Sequence, residues 1–83
     1  MKKDILPQQL RAGRALIDWT REDLANASGI TVRTLARIES SQTIPRKSTL
    51  EALAEALEAA GIEFIPENGS GPGVRLSRRS ERT

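Results

Sequence analysis

A mostly α domain, four short helices followed by a two-stranded β-hairpin, is the fold class that the 83-residue sequence predicts. Three observations lead there. Apolar residues recur at helical spacing, in Leu35 and Ile38 and again in Leu50, Leu53, Ala54 and Leu57. Turn formers, Gly29, Pro45 and Gly61, separate those runs. Beyond Gly61 the pattern changes to alternation, with Ile62 and Phe64 flanking Glu63 and Val74 and Leu76 flanking Arg75.

The first helix is predicted over residues 7–18. Pro7 suits the first helical turn, where its missing N–H costs nothing, and Leu10, Leu16 and Ile17 supply the apolar face. Gly13 weakens this helix, and Arg11 and Arg14 share one side of it. Trp19 follows as a core-packing residue. Thr20 then caps a second helix over residues 21–27, with Glu22 and Asp23 facing the positive end of its dipole. Leu24 and Ala25 form its inner face, and Gly29 can end it in the left-handed conformation without a Cβ clash. Thr31 caps a third helix over residues 32–40, which buries Leu35 and Ile38.

Ser48-Thr49-Leu50-Glu51 reads as the capping box of a fourth helix, whose outer face carries Glu51, Glu55 and Glu58 and whose stop is Gly61. Residues 62–76 form the hairpin, closed by a loop made almost entirely of turn formers. An isolated hairpin is marginal in water, so this one must pack on the helices or pair with another copy. The loop from Asn68 to Gly73 superficially suggests a phosphate cradle, but it lacks the lysine and following helix that a phosphate loop needs. Residues 77–83 are expected to be a disordered basic tail with nonspecific attraction for phosphate.

Composition narrows the chemistry. The chain has no cysteine and no histidine, which removes disulfides, thiolate or imidazole metal sites and histidine-based catalysis. No metal, no cofactor and no enzymatic activity are expected, because the carboxylates sit at helix starts and on a regular helix face. No apolar run reaches membrane-spanning length, and the start MKKDILPQQL lacks the apolar core of a leader. The expected location is the cytoplasm, in association with the nucleoid. Net charge is +2, yet residues 1–47 carry +4, residues 48–69 carry −5 and residues 70–83 carry +3. That separation suggests one side facing a polyanion and an acidic helix turned away from it.

Residues 20–41 therefore read as two helices crossing through a tight turn, the helix-turn-helix arrangement, in which the second helix enters the DNA major groove. If that helix buries Leu35 and Ile38, its opposite face exposes Val32, Arg33, Ala36 and Arg37, with Thr34 at the flank. Arg33 suits a forked contact with guanine O6 and N7, and Val32 suits a thymine methyl. Arg37 can reach a base or a phosphate. Two arginines and a valine on one exposed face favour contact over the competing reading of solvated charges. Arg46 and Lys47 are phosphate contacts or merely polar residues ahead of a helix.

From about Leu10 to Leu57 the chain resembles the phage-repressor or Xre type of helix-turn-helix domain. The resemblance rests on Leu24-Ala25 with Gly29 four residues on, on Thr31-x-x-Thr34-Leu35-x-x-Ile38-Glu39, on Pro45, and on the apolar periodicity from Leu50 to Leu57. It implies a repressor-like DNA-binding domain over residues 1–61, followed by the hairpin extension. It also implies a structural salt bridge between Arg14 and Glu39, which occupy the family's paired positions. Arg21 stands where the family usually has a phosphate-contacting Gln. Ser41, Gln42 and Thr43 fall where the family's loop meets the sugar-phosphate backbone, with Ser41 in place of the usual Gly. Phosphate contact is thus expected from Arg21, Thr31, Ser41, Gln42, Thr43, Arg46 and Lys47.

The function expected is that of a small bacterial or phage-type transcriptional regulator on double-stranded DNA, working as a homodimer on an inverted repeat. The alternative is an antitoxin or other protein-interaction module that binds a protein partner and uses DNA binding to autoregulate its operon.

Overall fold

A computed structural model of the protein describes residues 5–77, so the basic segment 78–83 lies outside the described residues. The chain forms α1 (Pro7–Leu16), α2 (Arg21–Ser28), α3 (Val32–Glu39), α4 (Lys47–Ala59), β1 (Ile62–Ile65) and β2 (Gly73–Leu76). The four helices and the antiparallel hairpin are the predicted fold class.

Helix α1 stops two residues earlier than its predicted end. Asp18 takes a left-handed conformation (φ 55°), and the Asp18 and Trp19 amides donate to the carbonyls of Ala15 (3.3 Å) and Arg14 (2.9 Å). These two bonds close the helix in the manner usually left to glycine, which Asp tolerates because its short polar side chain suits that region. On the helical wheel Leu10, Gly13 and Ile17 form the inward row, and Leu16, about 100° round from Ile17, is left 42 % exposed instead of packing as expected. Gly13 proves to be a packing residue: a Cβ there would meet Leu57 Cδ1 at 3.3 Å and Ile62 Cγ2 at 3.5 Å. The lost helix propensity, about 1 kcal/mol against Ala, is offset by the close approach of α1 to α4 and β1.

Leu10, Leu24, Leu35, Ile38, Leu53, Leu57 and Ile62 form one buried core drawn from every helix and the first strand. Each such side chain contributes about 1.5–3 kcal/mol relative to exposure. Trp19, Ile30, Leu50, Phe64 and Val74 pack around that core.

The expected capping box of α4 is not formed. The helix begins at Lys47, ahead of Ser48, with Arg46 at the cap position in extended geometry and no side-chain cap bond. Leu50 donates its amide to the Arg46 carbonyl at 3.0 Å, so Ser48 lies inside the first turn, where it cannot act as a cap. The other end is as predicted, with Gly61 (φ 107°) just past the cap residue Ala60.

The hairpin pairs Ile62 with Leu76, Glu63 with Arg75, Phe64 with Val74 and Ile65 with Gly73. Phe64 and Val74 share the face that packs on the helices, and the outer face carries a forked Arg75–Glu63 pair at 3.0 Å. Gln9, buried in α1, holds the loop end of the hairpin by donating from Nε2 to the carbonyls of Gly73 (2.9 Å) and Ile65 (3.4 Å). Its Oε1 accepts the Leu6 amide at 2.8 Å, so one side chain joins the start of α1 to both strands. Within the loop the amides of Gly69 and Gly71 donate to the Glu67 carboxylate (2.9 and 3.2 Å), which fills the glycine cradle with the chain's own anion.

Candidate nucleic-acid interface

Helices α2 and α3 cross through the turn Gly29-Ile30-Thr31. Thr20 caps α2 in a reciprocal arrangement, its hydroxyl accepting the Asp23 amide (3.1 Å) while Asp23 accepts the Thr20 amide (2.9 Å). Gly29 (φ 79°) ends α2, with its amide on the Ala25 carbonyl at 2.9 Å. Thr31 begins α3 by accepting the Thr34 amide at 3.1 Å, and it donates its hydroxyl to Thr34 Oγ1 at 3.0 Å. The expected phosphate role of Thr31 therefore competes with a bond the hydroxyl already makes.

Helix α3 divides sharply by face. Leu35 and Ile38 are buried in the core, whereas Val32 (39 % exposed), Arg33, Thr34 and Arg37 face solvent and Ala36 is half-buried. A run of Val, Arg, Thr and Arg without a carboxylate, standing on a short rigid helix, can offer apolar contact and forked hydrogen-bond donors to base edges.

The end of α3 is fixed by its last residue. The Glu39 carboxylate is fully buried and accepts Arg14 Nε (2.9 Å) and Nη2 (2.8 Å), one on each oxygen, together with Arg21 Nε (2.9 Å). Arg14 Nη1 also reaches the Trp19 carbonyl at 3.0 Å, and Arg11 donates to the Glu39 backbone carbonyl. Burial pushes the Glu39 carboxyl up, but hydrogen bonds and charge from Arg14 and Arg21 outweigh it and hold the group below its ordinary value. The forked Arg14–Glu39 contact ties α1 to α3. The Arg21–Glu39 contact adds α2 and gives Arg21 a partner within the fold, where the sequence suggests phosphate alone. Arg21 keeps a side chain 39 % exposed.

Beyond α3 the chain turns through Ser41, which has φ 59°, and the amides of Ser41 and Gln42 donate to the carbonyls of Ile38 (3.0 Å) and Arg37 (2.8 Å). Ser41 thus adopts the left-handed conformation that the family usually gives to Gly. Gln42, Thr43, Arg46 and Lys47 are all exposed along the segment that leads to α4. Between Thr43 and Pro45 stands Ile44, 94 % exposed, a residue that sequence reasoning passed over.

The crossing pair and the exposed cationic face of its second helix define the class of helix-turn-helix DNA-binding proteins. A helix-turn-helix family model matches residues 10–63. Over 66 residues the chain is 32 % identical to an uncharacterized HTH-type transcriptional regulator, YazB, of Bacillus subtilis (strain 168), which covers 80 % of this chain and 96 % of the relative. The chain belongs to the helix-turn-helix family, in its Xre form, a family of DNA-binding transcription regulators. Among the described residues no helix is long and apolar enough to cross a membrane.

Proposed function

We propose that this protein is a sequence-specific transcriptional regulator that inserts α3 into the major groove of double-stranded DNA and acts as a homodimer on an inverted repeat in the bacterial cytoplasm. The observation that carries the reading is the division of α3 into a buried face, Leu35 and Ile38, and an exposed face, Val32, Arg33, Thr34 and Arg37. Arg33 forks onto guanine O6 and N7, Val32 touches a thymine methyl and Arg37 contacts a base or phosphate one turn on. Arg21, Ser41, Gln42, Thr43, Arg46 and Lys47 hold the sugar-phosphate backbone and set register without reading sequence. An eight-residue helix spans only a few base pairs, so a second copy on a half-site one helical turn away supplies the remaining discrimination.

Selection of bound duplexes from a random pool at physiological salt tests the reading. An enriched inverted repeat with half-sites about one helical turn apart is the expected result. A pool that shows no enrichment, or binding that vanishes with modest added salt, would overturn it.

A further inference from the structure

Ile44 is the most exposed large apolar side chain among the described residues. At 94 % exposure it stands well apart from Leu6, Leu16, Val32 and Leu76, each of which is 39–45 % exposed. Its position is held by backbone chemistry. Pro45 restricts the preceding residue to extended geometry, and the paired Ser41 and Gln42 amide bonds fix the chain where it leaves α3. The side chain is therefore presented outward on a short, constrained segment.

The surroundings select the partner. From Ser40 to Leu50 the chain has no acidic side chain, while Arg46 and Lys47 follow Ile44 just past Pro45 and Arg37 lies on the last turn of α3. A second copy of the same segment would be repelled by this charge; a polyanion with apolar edges would be drawn to it. DNA offers such edges in the deoxyribose rings that line the minor groove, immediately behind the phosphates.

We propose that Ile44 is an apolar DNA contact that packs on the deoxyribose edges of the minor groove flanking each half-site. The proposal rests on the DNA-binding reading above and extends it. With α3 in the major groove and Ser41 to Thr43 on the backbone strand, Ile44 is the next residue along and reaches the groove on the far side of that strand. A branched apolar side chain there favours A·T pairs at the flank, because a G·C pair places the guanine 2-amino group in the minor groove.

The test compares the full chain with Ile44→Ala on the duplex that the wild type enriches. The substitution lies at an exposed position, so the melting temperature should not change. Affinity should fall about tenfold with the salt slope unaltered, since an apolar contact releases no counterions. Replacing flanking A·T pairs by G·C should weaken the wild type and leave Ile44→Ala almost unaffected, and inosine·C pairs, which lack the 2-amino group, should restore the wild type. Equal affinity of the two proteins on the enriched duplex would overturn the Ile44 proposal alone. So would a loss traced to self-association, seen as a fall in solution mass for Ile44→Ala without DNA. Failure of the wild type to enrich any duplex would overturn the DNA-binding reading, and the Ile44 contact with it.

Discussion

Arg21 Nε lies 2.9 Å from Glu39 Oε1, so the residue proposed to meet phosphate at the start of α2 is anchored by the carboxylate that ends α3. The bond engages Nε, and the side chain as a whole stays 39 % exposed. Glu39 therefore does two things at once: with Arg14 it locks α1 to α3, and with Arg21 it sets the direction of a surface cation.

Removing that carboxylate should be costly. Glu39→Ala leaves Arg14 and Arg21 without their counterion and should lower stability by about 3–5 kcal/mol in urea titration. The sign with pH follows from the depressed Glu39 pKa. Its contribution is complete above the ordinary carboxyl value of 4.5 and is lost as pH falls below that value through the lower folded-state pKa. A wild-type acid-unfolding curve that Glu39→Ala leaves unshifted would contradict this.

Arg21 separates charge from geometry. Arg21→Ala should weaken binding to all sequences alike and flatten the salt slope by about one unit. Its stability cost should be no more than about 1 kcal/mol, because the side chain is partly exposed. Arg21→Lys keeps the charge, yet one ammonium cannot serve Glu39 and a phosphate together, so affinity should still fall. Titrations of both variants on specific and random duplexes decide the matter; a loss confined to one sequence would make Arg21 a base reader.

Ser41 holds a left-handed backbone (φ 59°) without being glycine. Ser41→Gly should relieve that strain and raise stability by about 0.5–1 kcal/mol net of the entropy that glycine loses on folding. Ser41→Val, β-branched at the same site, should lower it. Thermal melts that rank the three proteins otherwise would place the strain elsewhere.

Gln9→Glu keeps the acceptor for the Leu6 amide but removes both donors to the Gly73 and Ile65 carbonyls. A loss of about 1–3 kcal/mol is expected. Hydrogen exchange should show the hairpin amides opening before those of α2 and α3. Uniform loss of protection over the whole chain would mean that the hairpin and helices unfold as one unit.

These residues also mark how far the sequence could be read. The four helices followed from apolar spacing and turn residues, and the hairpin from a change of period at Gly61, because both signals are local. Arg14 with Glu39 was visible only through the order of residues shared with a family, since the two lie 25 positions apart. Arg21 with Glu39 and Gln9 with the strand carbonyls had no local pattern to betray them. A glutamine on a helix reads as a surface residue until the fold brings carbonyls 56 and 64 positions away onto its amide. The α4 capping box fails for the opposite reason: a good local cap is lost to a helix that starts earlier, at Lys47 behind the cap residue Arg46.

The central claim is that Arg33 reads a guanine from the exposed face of α3. Its most direct test replaces half-site guanines one at a time by 7-deazaguanine, which lacks N7, and titrates wild type and Arg33→Ala on each duplex. At one position the analogue and the substitution should each cost about 1–3 kcal/mol, and together no more than either alone. Costs that add at every position, or an analogue without effect on the wild type, would contradict the assignment of α3 as the reading helix.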